Sequence, residues 1–143
     1  MPYKYRDDLT KSDVAFDAWG RTLEELIQAA GDATLNVMVE DLSSISPAET
    51  RTIQVEEESP ELLLFQLLQE LIYYKDAEEL LLRYRKAQVE EKGEKLLAIA
   101  EAAGERIDPE RHALIVDVKA VTLHRFKVVE ENGIWRATVV LDV

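Results

Sequence analysis

The chain reads as an α+β protein in which two helices pack on a mixed or antiparallel β-sheet, and three observations carry that expectation. Two segments, opened at Thr22 and Ser59, carry helix-start signals followed by apolar residues at helical spacing. Several other segments alternate apolar and polar residues with the period of a half-buried strand. The pair Asn132-Gly133 is a strong hairpin signal, because both residue types tolerate positive φ. With helices early and most strands late, the pattern is that of helices covering one face of a sheet. At 143 residues and 47% hydrophobic, residues 1–143 are expected to form a single domain with one proper core.

Each element has its own justification. Residues 1–5 make a short extended start, and a polar turn with Asp7 and Asp8 follows. Over 13–19, Val14, Phe16 and Ala18 fall on one face and Asp13, Asp17 and Trp19 on the other, a strand that Gly20 ends. Thr22-Leu23-Glu24-Glu25 is a capping box. The helix it opens runs to about Val39, with Leu23, Leu26, Ile27, Ala30, Ala33 and Val37 in one stripe. Gly31 within it costs about 1 kcal/mol relative to Ala unless something packs closely there. A loop over 41–47 leads to a strand over 50–57. Ser59-Pro60-Glu61 then combines a cap, a proline at the tolerated first position and an acid at the positive end of the dipole. Leucines around much of the circumference of this second helix make it the central core element. Residues 78–91 and 95–103 form a hairpin about Lys92-Gly93-Glu94, residues 104–113 a connection, and 116–130 and 134–143 the hairpin about Asn132-Gly133.

The formal net charge of −12 argues against direct nucleic-acid binding, since phosphate neutralisation by Lys and Arg supplies most of that affinity. It suits a cation or a basic protein partner, or simply keeps the protein soluble. Without cysteine there is neither a disulfide nor thiolate chemistry. No apolar stretch approaches the length of a membrane span and no secretory signal opens the chain, so a cytoplasmic location is expected.

The chain as given closes on Val139-Val140-Leu141-Asp142-Val143, which would set the Asp142 side chain beside the terminal carboxylate. Clustered hard oxygens are what Ca²⁺ or Mg²⁺ requires. Asp13 opens one strand, Asp142 closes the last and Lys119 sits mid-strand, so neighbouring strands would gather two carboxylates and an ammonium. Alternation alone does not bring them together, and each is also explicable as a solvated strand-end charge. Lys119, between Val118 and Ala120, either snorkels to an edge or pairs with a carboxylate. There is no EF-hand loop, P-loop, G-x-G-x-x-G or G-x-S-x-G, and His112 and His124 lack zinc-site spacing. Trp19 and Trp135 read as strand packing, not as a stacking platform. Nothing here independently announces an enzyme.

Taken in order, Ser12-Asp13-Val14, Trp19-Gly20 with Thr22-Leu23-Glu24-Glu25-Leu26, Leu63-Leu64-Phe65 to Glu70-Leu71, Gly104-Glu105, Asp117-Val118-Lys119-Ala120-Val121-Thr122-Leu123-His124 and Leu141-Asp142-Val143 resemble the archease family over nearly the full length. The resemblance implies a two-layer, archease-like fold. It also implies an accessory protein of an RtcB-type RNA ligase in tRNA splicing and RNA repair. Such a protein is not itself an enzyme: it promotes guanylylation of the ligase with GTP and so enables multiple turnover. Carried over by position, Asp13 and Asp142 correspond to metal-binding aspartates, Val143 contributes main-chain oxygen, and Lys119 corresponds to an essential lysine. The implied ion is Ca²⁺ or another hard divalent cation, and no stable direct nucleic-acid contact is expected. One departure stands out: Thr10-Lys11-Ser12-Asp13 replaces the family's H-T-A-D, so Thr10 occupies the histidine position. Asp7 and Asp8 offer outer-shell oxygens in partial compensation. The competing readings are an acidic protein-binding or chaperone-like module with a structural metal site, and a metal hydrolase.

Overall fold

Capping chemistry places both helices where the sequence predicts them. In the computed structural model, which describes residues 1–8 and 13–143, helix α1 spans Leu23–Met38 and helix α2 spans Pro60–Glu78. The Thr22 hydroxyl accepts the Glu25 N–H at 3.1 Å, while the Glu25 carboxylate reaches back to the Arg21 N–H. Ser59 does the same for Leu62 at 3.1 Å. The strands are β1 (Tyr3–Arg6), β2 (Val14–Gly20), β3 (Glu49–Glu57), β4 (Leu80–Lys92), β5 (Lys95–Arg106), β6 (Ala120–Glu131) and β7 (Ile134–Asp142).

The α+β class holds, and the strands divide into two sheets rather than one. A four-stranded sheet has the order β1-β2-β7-β6 and a three-stranded sheet the order β3-β5-β4; every pairing between them is antiparallel. Each helix touches both sheets. Helix α1 packs on β1, β2 and β7 and also on β4, and α2 packs on β3, β4 and β5 and also on β6. This two-sided contact explains why burial runs nearly around α1. It also explains the buried leucines of α2, Leu63, Leu64, Leu67, Leu68 and Leu71, each stabilising the fold by roughly 2 kcal/mol. Gly31 is the close contact that its place in the stripe requires: a Cβ there would meet the Tyr84 ring at 3.0 Å and Leu71 at 3.4 Å.

Three boundaries differ from the sequence reading. Glu78 ends α2 instead of opening β4, because Glu79 takes a left-handed conformation (φ 55°) that stops the helix. Strand β5 continues through Gly104 to Arg106. There Gly104 lies so close to the Leu81 carbonyl that a Cβ would overlap it. Residues 116–119 are not strand, and β6 begins only at Ala120, so Lys119 precedes the strand rather than sitting within it. The Asn132-Gly133 turn is as expected, with φ of 53° and 77°, the twist-compatible hairpin turn.

Candidate functional site

Strand register builds the site. Val14 of β2 pairs with Leu141 of β7, and Ala120 of β6 pairs with Asp142 on the other side of the same strand. The next residue outward from Val14 is Asp13, so Asp13 comes to the end of the sheet beside Asp142. Core-facing β2 and β7 side chains include Phe16, Ala18, Ala137, Val139 and Leu141. By alternation, Asp13 and Asp142 therefore share the opposite, outward face. Lys119 joins them through its main chain, its N–H donating to the Asp142 carbonyl at 2.8 Å. The fold thus gathers Asp13, Asp142, Val143 and Lys119 at one sheet end although they are far apart in sequence.

Of the two placements open to the lysine, an exposed edge or a carboxylate partner, the structure has the first. Lys119 is exposed, and among the described residues its ammonium makes no ion pair with Asp13 or Asp142. Asp13, Asp142 and Val143 are half-buried. Asp8 is held by Arg6, at 2.6 and 3.0 Å, and that hydrogen bond keeps its carboxyl below the usual carboxylate range. Its oxygens are thereby committed to a guanidinium. Thr10 and Ser12 lie outside the described residues.

The donor set suits a hard cation in kind but not in number. Two carboxylates and main-chain carbonyl oxygen are ligands that Ca²⁺ accepts, yet it takes six to eight oxygens. Among the described residues no group of three or more His, Cys, Asp or Glu side chains forms a cage. Asp13, Asp142 and the Val143 main chain would hold such an ion only with water or a partner supplying the remaining positions.

Two anchors that sequence reasoning missed fix the segment carrying Lys119. Lys75, in the last turn of α2, is only 6% exposed, and its ammonium donates to Asp117 at 2.6 Å and to the Val118 carbonyl at 2.7 Å, with Asp76 also at 2.6 Å. Burial lowers its pKa, but the Asp117 and Asp76 carboxylates more than offset this and the net shift is upward. Gln69 of α2 accepts the Val121 N–H at 2.9 Å. At the other end of the connection, Glu105 accepts the Ser46 N–H at 2.6 Å and is bound by Arg111 and by His112 Nε2. Because His112 Nδ1 accepts the Asp108 N–H, Nε2 carries the proton and donates to Glu105. The Arg111 hydrogen bond, helped by Ser46, holds the Glu105 pKa down to about 2. A lysine at the end of an otherwise leucine-rich helix was the available signal for the first anchor. For the second it was the acid immediately after a glycine.

A small α+β domain with a polar sheet end is what these elements define. Comparison with known proteins places it further: the model of the archease protein family matches residues 3–143, and the chain belongs to that family. Relatives named "Protein archease" include one from Aeropyrum pernix, 37% identical over 92% of each chain, and one from Pyrococcus abyssi, 36% identical over 92% of this chain and 93% of the relative. A solution structure of a Methanobacterium thermoautotrophicum protein superposes with a TM-score of 0.86 at 33% identity, covering 99% of both chains. A Thermotoga maritima crystal structure, described as an archease and possible chaperone, has a TM-score of 0.61 at 17% identity over 96% of both chains. The second of these speaks to fold alone. No helix among the described residues is long and apolar enough to cross a membrane.

Proposed function

We propose that this archease activates an RtcB-type RNA ligase, promoting guanylylation of the ligase with GTP so that it turns over repeatedly in tRNA splicing and RNA repair. The observation that supports this most is the convergence of Asp13, Asp142, Val143 and Lys119 on one sheet end through the β2–β7–β6 register. Ca²⁺ bound there would supply a hard positive centre for phosphate oxygens. Asp13 and Asp142 bring two carboxylates to that end, and a cation held between them would relieve their like-charge repulsion. The exposed Lys119 offers an ammonium to a partner's phosphate. Lys75 and Asp117 hold the backbone from which Lys119 projects. An incomplete cage is consistent with an accessory role, because a partner docking on this end could complete the coordination. The protein acts in this reading as a non-catalytic activator in the cytoplasm.

The test is RNA joining by the ligase from the same source, at sub-stoichiometric ligase, with GTP and divalent metal, with and without this protein. Conversion of a single round into many, lost in Asp13→Ala and Lys119→Ala, is expected. Unchanged turnover with a demonstrably active ligase would refute the reading. Calorimetric Ca²⁺ titration should show at least tenfold weaker binding to Asp13→Ala and Asp142→Ala, and wild-type affinity in both would remove the metal site.

A further inference from the structure

The outward face of the four-stranded sheet carries a second polar feature that the ligase reading does not use. One row of side chains runs straight across it: Lys4 on β1, Asp17 on β2, Thr138 on β7 and Lys127 on β6 are successive cross-strand partners. Two residues further along, Trp19, Arg136 and Val129 form a second row. With Arg6 these line a groove of about 310 Å³.

Its charge runs against that of the molecule. The chain has 29 acidic and 17 basic residues, yet the groove holds four cations and one carboxylate. That carboxylate is already satisfied: Asp17 accepts from Arg6 at 3.3 and 3.5 Å and from the Thr138 hydroxyl at 2.8 Å. Arg6 is in turn shared with Asp8. Among the described residues Lys4, Lys127 and Arg136 make no ion pair. Three uncompensated cations around one concavity are an anion site in waiting, because low-dielectric walls focus their field.

Two further features narrow the anion. Trp19 lines the groove half-buried, and its register partner across the strands is Arg136, which lines the same groove; an indole and a guanidinium on one face are the side chains that stack a planar base. The groove volume falls at the small-molecule end of ligand sites, and the net charge of −12 repels a long polyanion.

We propose that this groove binds a nucleoside triphosphate, with the base on Trp19 and the phosphates between Lys4 and Lys127. The Lys4–Lys127 row spans three strand spacings, about 14 Å. That row lies between the Trp19 row and the sheet end that carries Asp13 and Asp142, and the fully buried Ala15 and Val140 separate the groove from that end. The groove itself stands independently of the ligase reading and of any metal there.

The test titrates GTP, ATP and inorganic tripolyphosphate into the protein in EDTA, followed by tryptophan fluorescence and calorimetry, with a ten-nucleotide single-stranded RNA and an oligoglutamate peptide as separate arms. Both triphosphates are expected to bind and quench, with tripolyphosphate competing. Lys127→Glu and Arg136→Glu should each weaken binding at least tenfold while circular dichroism stays unchanged. Trp19→Phe should remove the quench and keep measurable affinity, since Trp135 on β7 packs against the core. Lys86→Glu, on the other sheet, should bind as wild type. Absence of triphosphate binding overturns the proposal. Tighter binding of the RNA overturns it in favour of a polynucleotide, and equal binding of oligoglutamate overturns it in favour of an acidic protein segment.

Discussion

The two sheets use the same strand chemistry to opposite ends. The three-stranded sheet is built from one continuous stretch, β3 to β5, interrupted only by α2, and β4 and β5 are joined by a tight turn. Its rows across the outward face include Glu56-Leu97-Glu90, Gln54-Ile99-Gln88 and Thr52-Glu101-Lys86, in which the cation Lys86 stands beside Glu101, and Lys92 is paired with Glu56. The four-stranded sheet joins β1 and β2 from the start of the chain to β6 and β7 from its end. It carries the Asp13–Asp142 end, the cationic groove and the one strand, β6, with a long register break between Thr122 and Lys127. Arg125 has φ 57° within that break, and Leu123 is 65% exposed. The sheet assembled from distant segments is where chemically matched residues can meet, while the contiguous sheet serves as the rigid support.

This contrast also explains what the sequence could and could not disclose. Caps at Thr22 and Ser59 and the Asn132-Gly133 turn are local signals, so the helices and the last hairpin were legible. The division into two sheets was not, because pairing Val14 with Leu141 is a long-range choice that alternation does not encode. Asp13, Asp142 and Lys119 stand out in the sequence as charges on strands and take their roles from the family pattern, whereas their convergence needs the register. Lys75 escaped because its partners, Asp117 and the Val118 carbonyl, lie on the far side of the hairpin. The groove escaped because its cations come from β1, β6 and β7, and the overall acidity of the chain pointed the other way.

The contrast between the two sheets depends most heavily on Gly104. A Cβ there overlaps the Leu81 carbonyl oxygen and approaches the Leu82 Cα at 3.1 Å, both of them backbone atoms that cannot rotate aside. Gly104→Ala should therefore push β4 from β5 and destabilise the supporting sheet by about 3 kcal/mol or more, read by urea denaturation. Stability within 0.5 kcal/mol of wild type, on the order expected for a neutral surface change, would mean that the support is not rigid there.

A smaller effect, confined to the other sheet, is expected from Lys75→Met. The methionine keeps the buried stem and removes the hydrogen bonds to Asp117 and Val118, at a cost of about 1–3 kcal/mol. Asp117 is 64% exposed and can be solvated, which keeps the loss toward the lower end. The discriminating measurement is amide exchange. The Lys119 and Val121 amides, bonded to Asp142 and Gln69, should exchange faster, while those of the β4–β5 ladder stay protected. Uniform loss of protection across both sheets would show that Lys75 supports the whole fold and not the Lys119 end in particular.

The smallest expected effect tests how the connection between the sheets is clasped. Glu105 titrates at about 2 in the folded protein against an ordinary 4.5, chiefly through Arg111 and Ser46. A depressed carboxylate contributes stability that is complete above the unfolded value and is lost as pH falls toward the folded one. The wild-type advantage over Glu105→Gln should thus be constant above about pH 5 and shrink steadily from there to about pH 2. Thermal melts of both proteins across that range provide the check. Glutamine preserves an acceptor for the Ser46 N–H, so the residual difference at low pH isolates packing from charge. If the gap between the two proteins does not narrow on acidification, the ionic partnership with Arg111 is not what holds residues 105–112 in place. The orientation of the segment leading to Lys119 would then rest on Lys75, on Gln69 and on the main-chain bonds from Glu40 to Ala113 and from Ile115 to Met38.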